Sequence, residues 1–322
     1  MRPIPSATRR ILHHAEDCYS IRGLAQQAGW DCDYVQYSSG KLEAPFDAFL
    51  YGGMQFTQQH FNQKLCVQGS PPPDTIPIIL FTQSMEEGCF DGRTFGSRDG
   101  VFMRSGSDGI LHTPRNCRLF TISVSKEYLS RVAWTYDHID LDRSLHENQV
   151  ISFQAETLNK LRCFISKAYS SCPSDPASME LHDEILRALS ETLRHNHPPE
   201  TLSLQCSNHN MYVRKAQEYI EHHLKEDLPL TDVATYAGIS LRSLELAFRK
   251  VLQLSPNEYI RTQRLHRFRA HLLSTNTEEL HKIGVIAKQH GLFHVSRSSS
   301  QYRKLFGELP SQTLAQREST AD

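Results

Sequence analysis

The sequence predicts an α+β protein. An N-terminal antiparallel β-barrel with packing or dimerisation helices precedes an all-α domain of two helix-turn-helix units joined by a linker helix. Three observations lead there. Short apolar or alternating runs separated by turn residues fill residues 32–124, the texture of regularly spaced antiparallel strands. Apolar residues at helical spacing dominate from residue 125 onward,. Finally, a cluster recurs 54 positions on: Phe248-Arg249-Lys250-Val251-Leu252 answers to Tyr302-Arg303-Lys304-Leu305-Phe306, and Pro256 answers to Pro310.

The length of 322 residues suits about two domains,. No apolar run approaches the ~20 residues that span a bilayer, and the N-terminus lacks the apolar stretch of a secretory signal. A cytoplasmic location without membrane contact is therefore expected. Eight dispersed cysteines without a Cys-x-x-Cys pair read as reduced thiols,. The net charge of −1 conceals an asymmetry. Residues 211–322 hold 16 Lys/Arg against 12 Asp/Glu, whereas residues 1–210 hold 19 against 24. A basic bias on one part is compatible with a phosphate-binding surface.

In chain order, strands are expected at Cys32–Tyr37, Phe46–Tyr51, Gln63–Val67, Ile76–Phe81, Val101–Arg104 and Arg118–Val124. Gly52-Gly53, Asp91-Gly92, Asp99-Gly100 and Asp108-Gly109 are among the turns between them,. Ser125–Tyr136 reads as a helix. Phe153–Ser171 reads as a second, with Leu158, Leu161, Ile165 and Ala168 on one face. A third runs to about His195, with Met179, Leu186, Leu189 and Leu193 in a stripe,. These stripes pack on the barrel or form a homodimer seam. His197-Pro198-Pro199 stops the third helix, and the polar segment to Asn210 marks a boundary. The expected division is a sensing and dimerisation part at 1–197, a linker at 198–210 and a helical domain at 211–322.

Within that last domain, Val213, Ala216, Ile220 and Leu224 give one helix an apolar face. Thr231 is placed to cap a short helix that Gly238 ends. Ser240 caps the next, whose apolar face is Leu241, Leu244, Phe248 and Val251,. Ser255-Pro256-Asn257-Glu258 is a capping box with proline at the first helical position, and the helix it opens runs to about Leu273,. The second copy has a helix from Leu280 to His290, then one carrying Val295, Ser298, Tyr302 and Leu305. Its Ala287 and Gly291 match Ala234 and Gly238 at offset 53, so its turn is one residue longer.

Two helix-turn-helix units in fixed register imply a protein that grips duplex DNA at two places, because the second helix of such a unit enters the major groove. Residues 211–316 resemble the DNA-binding domain of the AraC/XylS family of bacterial transcription regulators. The resemblance rests on Asp232-Val-Ala-Thr-Tyr-Ala-Gly-Ile-Ser240, Leu254-Ser-Pro-Asn-Glu-Tyr-Ile-Arg261, Ile286-Ala-Lys-Gln-His-Gly291 and Tyr302-Arg-Lys-Leu-Phe-Gly-Glu-Leu-Pro310. Phe306 to Leu314 is also similar to the branch that includes the ethanolamine-utilisation regulator. The resemblance implies a cupin-like N-terminal barrel that binds a small-molecule effector, a homodimer, promoter DNA and RNA polymerase as partners, and activation more often than repression. It implies no cofactor and no catalysis.

Helix geometry assigns the roles. In the first unit Arg242, Ser243, Glu245 and Leu246 face outward to base edges, Arg pairing with guanine and Glu accepting from cytosine. Arg249 and Lys250, at the far end, hold phosphate. In the second unit the outward set is Val295, Ser296, Arg297, Ser299 and Ser300, with Arg303 and Lys304 as the phosphate pair. One arginine among serines contributes positioning more than discrimination. Ser298 departs from the family pattern, which has a bulky apolar residue in that core slot. Phe81, Phe102, Phe120 and Trp134 are the candidate walls of an effector pocket.

Two other readings compete. A metal-dependent cupin-type enzyme needs clustered histidines with a carboxylate, but His112 stands alone among the strand residues. A redox-sensing regulator needs an exposed, electropositive cysteine; Cys117, between Arg115 and Arg118, is the main candidate, and Cys89 the other.

Overall fold

The computed structural model describes residues 10–51, 53–83, 86–170, 177–195, 200–274 and 283–315. The chain opens with β1 (Ile11–Ala15), α1 (Cys18–Gln27), β2 (Asp31–Gln36), β3 (Ala44–Tyr51), β4 (Met54–Phe61), β5 (Leu65–Ser70) and β6 (Thr75–Gln83). Next come β7 (Gly88–Phe90), β8 (Arg93–Phe95), β9 (Asp99–Phe102), β10 (Gly109–His112) and the long β11 (Cys117–Ser125). Helices α2 (Lys126–Asp137) and α3 (Leu141–Ser144), strand β12 (Gln149–Ser152), and helices α4 (Ala155–Ser170) and α5 (Ala177–His195) follow.

Strand alternation builds two layers from these. The seven-stranded sheet runs β1-β3-β4-β11-β6-β9-β12, and the five-stranded sheet runs β2-β5-β10-β7-β8. On β11, Leu119 faces the smaller sheet and packs with Ile79, Phe81, Tyr34 and Phe90. Its neighbours Phe120 and Ile122 point the other way, into a core shared with Leu129, Leu161, Ile165 and Leu189 of the helices. Period-two alternation thus assigns one face of the large sheet to the sandwich and the other to α2, α4 and α5.

The expected closed barrel is corrected to a pair of open sheets: among the described strands, no pairing joins one sheet to the other. The six expected strands correspond to β2, β3, β5, β6, β9 and β11. Strand β4 was not foreseen because it carries Gln55, Thr57 and Gln59, all buried. Their polarity is satisfied inside: Gln55 Nε2 donates to the Ala28 carbonyl at 2.7 Å, and Gln59 Nε2 to the Tyr34 hydroxyl at 3.1 Å. The stripe of α4 is buried in the sheet–helix core with Leu186, Leu189 and Leu193 of α5, so these positions do not form a free seam. The side chain of Met179 lies outside the described set.

Helix α6 (Glu200–His223) starts within the expected linker segment. Beyond are α7 (Leu230–Ala237), α8 (Leu241–Val251), α9 (Pro256–Ser274), α10 (Ile283–Gln289), α11 (Val295–Phe306) and α12 (Pro310–Ala315). Two separate cores form. The first gathers Val213, Ile220, Val233, Leu244, Phe248 and Tyr259. The second gathers Leu265, Phe268, Leu272, Ile286, Tyr302 and Leu305. The start expected at Leu280 falls outside the described residues, which resume at Ile283.

The sheets dock directly on this helical part. Cys66 and Ile110 of the smaller sheet enter the first helical core. His266 of α9 reaches the end of β2, where its Nε2 accepts from the Gln36 N–H at 3.1 Å. His112, only 4% exposed, is hydrogen-bonded to the Val251 backbone. Burial holds both imidazoles neutral, each with a pKa pushed down to about 4. In the unfolded chain the same groups titrate at about 6.5. Between those values the unfolded state binds more protons, so their contribution to stability is complete above about pH 6.5 and is lost as the pH falls through 4. The melting midpoint is therefore expected to fall on acidification across that window, and less steeply in His266→Gln. Scans at matched ionic strength check this; a parallel pH profile in the variant would contradict it.

Candidate nucleic-acid interface

Local chemistry fixes the first reading helix. Gly238 ends α7 in the left-handed conformation at φ 73°, a geometry that costs glycine nothing. Ser240 then caps α8, its hydroxyl accepting the Ser243 N–H at 3.1 Å. Thr231, expected as the cap of α7, lies inside that helix instead. Pro229 holds the cap position, and its carbonyl accepts the Asp232 N–H. The capping box after α8 is formed as expected: Glu258 accepts from the Ser255 N–H at 2.9 Å, and Ser255 Oγ from the Glu258 N–H at 3.3 Å. Those bonds from Ser255 hold the Glu258 carboxyl below its ordinary pKa.

Helix α8 buries Leu244, Ala247, Phe248 and Val251. Arg242, Ser243, Glu245, Leu246, Arg249 and Lys250 are all exposed on its other face. Leu246 is 52% exposed; an apolar group on a reading face suits contact with a thymine methyl. Leu241, expected on the apolar face, is exposed at the helix start, and Ala247 completes the buried stripe in its place.

The second unit is built on the same plan with weaker local determinants. The connection from α10 to α11, residues 290–294, is longer than that from α7 to α8, residues 238–240. His294 stands at the cap position of α11 without a side-chain capping bond. Helix α11 buries Ser298, Tyr302, Leu305 and Phe306. Ser298 thus occupies the interior slot assigned to it. Ser296, Arg297, Ser300, Arg303 and Lys304 are exposed, while Val295 and Ser299 are half-buried. A buried ion pair between Arg269 of α9 and Glu308 holds the end of the unit, with Thr313 Oγ1 donating to the same carboxylate at 2.7 Å.

Phe293 was not among the sequence candidates. It is 52% exposed immediately before α11, because Leu292 takes the interior position beside it. The order Gly291-Leu292-Phe293 contains two apolar residues for one core slot, and that surplus is the signal.

The four candidate pocket walls do not come together. Phe81 stacks on Phe95 between the sheets, with centroids 4.4 Å apart. Phe102 and Phe120 lie on the opposite face, against the helices, and Trp134 is 62% exposed. Cavities stand elsewhere: one of about 690 Å³ lies beside Arg93, Arg104, His146 and Met211, and two more bear on an effector. One of about 50 Å³ lies between the sheets, lined by Trp30, Tyr34, Phe90 and Met103, with Thr57 Oγ1 unpartnered at its wall. The other, about 620 Å³, separates β2 and β5 from α6 and α9. Gln217 Oε1 is buried there without a partner, the Tyr37 hydroxyl lies beside Cys66, and Arg22–Asp33 and Arg267–Glu221 pairs stand on its walls. Cys117 and Cys89 are both buried, and burial raises the Cys117 thiol to about 12. It is not the exposed, thiolate-prone group that a redox sensor requires.

Two second helices, each exposing a polar face that ends in an Arg–Lys pair, define a two-headed DNA-binding regulator. A family model described as a helix-turn-helix domain matches residues 233–316. The XylDLEGF operon transcriptional activator 3 of Pseudomonas putida is 35% identical over 320 residues, covering 96% of this chain and 92% of that one. The probable thc operon regulatory protein of Rhodococcus erythropolis is 32% identical over 102 residues, 32% of this chain and 30% of its own. Among solved structures, the AraC-like transcriptional activator CuxR is similar at 16% identity, covering 80% of this chain and 94% of its own with a TM-score of 0.44. The chain belongs to the AraC/XylS family of transcription regulators.

Arg242→Ala should relax base preference at one position, by about 1–3 kcal/mol of discrimination. Arg249→Ala should weaken binding to all sequences alike. Competition binding with point-substituted duplexes separates the two; the reverse pattern would invert the assigned roles.

Proposed function

We propose that the chain is a cytoplasmic transcription activator in which residues 211–322 bind promoter DNA and residues 1–197 sense a small-molecule effector. Residues 198–210 join the two. The observation that carries this reading is the pair of exposed helix faces with Arg–Lys ends, in a chain that matches an operon activator along nearly its whole length. Helix α8, with Arg242, Glu245 and Leu246, is the main reader of bases. Helix α11, serine-rich around Arg297, positions more than it discriminates. Arg249, Lys250, Arg303 and Lys304 hold phosphates. Family resemblance supplies RNA polymerase as a partner and a homodimer as the working form. The N-terminal sheets are read as a cupin-like barrel opened along its edges.

The effector seat we favour is the cleft of about 620 Å³ between the sheets and α6/α9, for the unpartnered buried amide oxygen on its wall; its volume lies within the ordinary range for ligand sites of roughly 300–1,000 Å³. The inter-sheet cavity of about 50 Å³ has room for little more than water,. In the cleft, Gln217 Oε1 awaits a hydrogen-bond donor, which a polar effector would supply.

Duplexes selected by the full chain from a randomised library test the DNA reading. Four phosphate contacts per protomer predict a log–log salt dependence of the association constant with a slope of about −3 to −4 for each protomer bound. A slope near zero would contradict it.

A further inference from the structure

Both reading helices end against the N-terminal sheets. The last carbonyls of a helix have no partner within the helix, and here groups of the sheet domain take them. At the end of α8, the Lys250 carbonyl accepts from Cys89 Sγ at 3.9 Å, and His112 bonds the Val251 backbone. At the end of α11, the Leu305 carbonyl accepts twice, from Gln36 Nε2 at 2.8 Å and from the Gly40 N–H at 3.2 Å. Gly307, just past α11, adopts φ 79°, and a Cβ there would stand 3.0 Å from the Lys41 backbone nitrogen. The two backbones therefore meet as closely as a glycine permits. Gln36 is 2% exposed, and its Nε2 also donates to the Ser38 and Gly40 carbonyls at 2.7 and 2.6 Å. Its own N–H goes to His266 on α9. One residue at the end of β2 thus ties the sheet domain to the linker helix and to the second reading helix.

None of these contacts covers a reading face: Arg242, Glu245, Ser296 and Arg297 stay exposed. The sheet domain holds each helix by its far end and leaves the reading end free. A helix the length of α8 is about 16 Å long, so a tilt of roughly 5° at the held end moves the other by ~1 Å. That shift is large against the distance tolerance of a hydrogen bond.

We propose that Gln36 and His112 are positioning residues for DNA reading: through the C-terminal carbonyls of α11 and α8, the sensing domain sets how the two reading helices are presented to the duplex. On this account, an effector acts by altering the tilt of helices that are already exposed, not by uncovering them. This rests on the DNA-binding reading above.

The test uses the full chain and a duplex that the wild type selects from a randomised library, with hydroxyl-radical footprints taken at equal fractional occupancy. Arg242→Ala and Arg297→Ala first assign each protected window to its unit. Gln36→Met, isosteric but without donors, is then expected to lose several-fold protection in the window of the second unit while keeping that of the first. His112→Leu is expected to do the reverse, so the test survives if either variant fails to fold. Both windows weakening in equal proportion, or both unchanged, would overturn the positioning role. A wild type that selects no duplex would instead overturn the DNA reading on which it rests.

Discussion

Helix α9 is the constraint on which the regulator depends, because it is packed on three sides by three different bodies. Tyr259 and Ile260 belong to the first helical core, and Leu265, Phe268 and Leu272 to the second. His266 reaches the sheet domain through Gln36. Arg264 adds a further tie, donating to the Leu224 and Glu226 carbonyls at 2.9 and 2.6 Å. A helix buried nearly all round shows little amphipathicity and has little freedom to rotate. The separation of the two reading helices is therefore a property of α9 itself, and their fine orientation belongs to what touches α9 and the helix ends.

The two units share a plan but not its quality. The first has a serine cap, a complete buried stripe and a varied reading face. The second starts from His294 without a capping bond and places Ser298 in its interior. Its closure depends more on long-range contacts, namely the Arg269–Glu308 ion pair and the donors from β2 to Leu305. A buried ion pair is costly to break, which suits a unit whose local determinants are weak.

The helical half was legible in the sequence because its determinants are local. The caps at Ser240 and Ser255, the left-handed Gly238 and a repeated aromatic-Arg-Lys cluster each act within a few residues, and helical period gave most of the exposed side chains of α8 and α11, Leu241, Val295 and Ser299 excepted. The sheet half was legible only where its strands alternate. Strand β4 hid behind its glutamines, whose partners Ala28 and Tyr34 come from distant positions. Phe81, Phe102 and Phe120 were grouped as walls of one pocket although Phe81 lies in a different core from the other two, and Trp134 proved to be a surface residue. Gln36, His112 and His266 carried no signal at all: their role exists only once chain segments about 230 positions apart are brought together,.

Two major-groove segments on one face of B-DNA lie about 34 Å apart, and a connecting helix packed on three sides is expected to hold the two exposed helices in one phase. The most direct measurement inserts about 5 base pairs, half a helical turn, between the two protected segments of a selected duplex. The account predicts that affinity for the full chain falls to that of a duplex with one segment scrambled, and that a full-turn insertion of about 10 base pairs does not restore it. Affinity unaffected by the half-turn insertion would contradict a rigidly phased pair of reading helices.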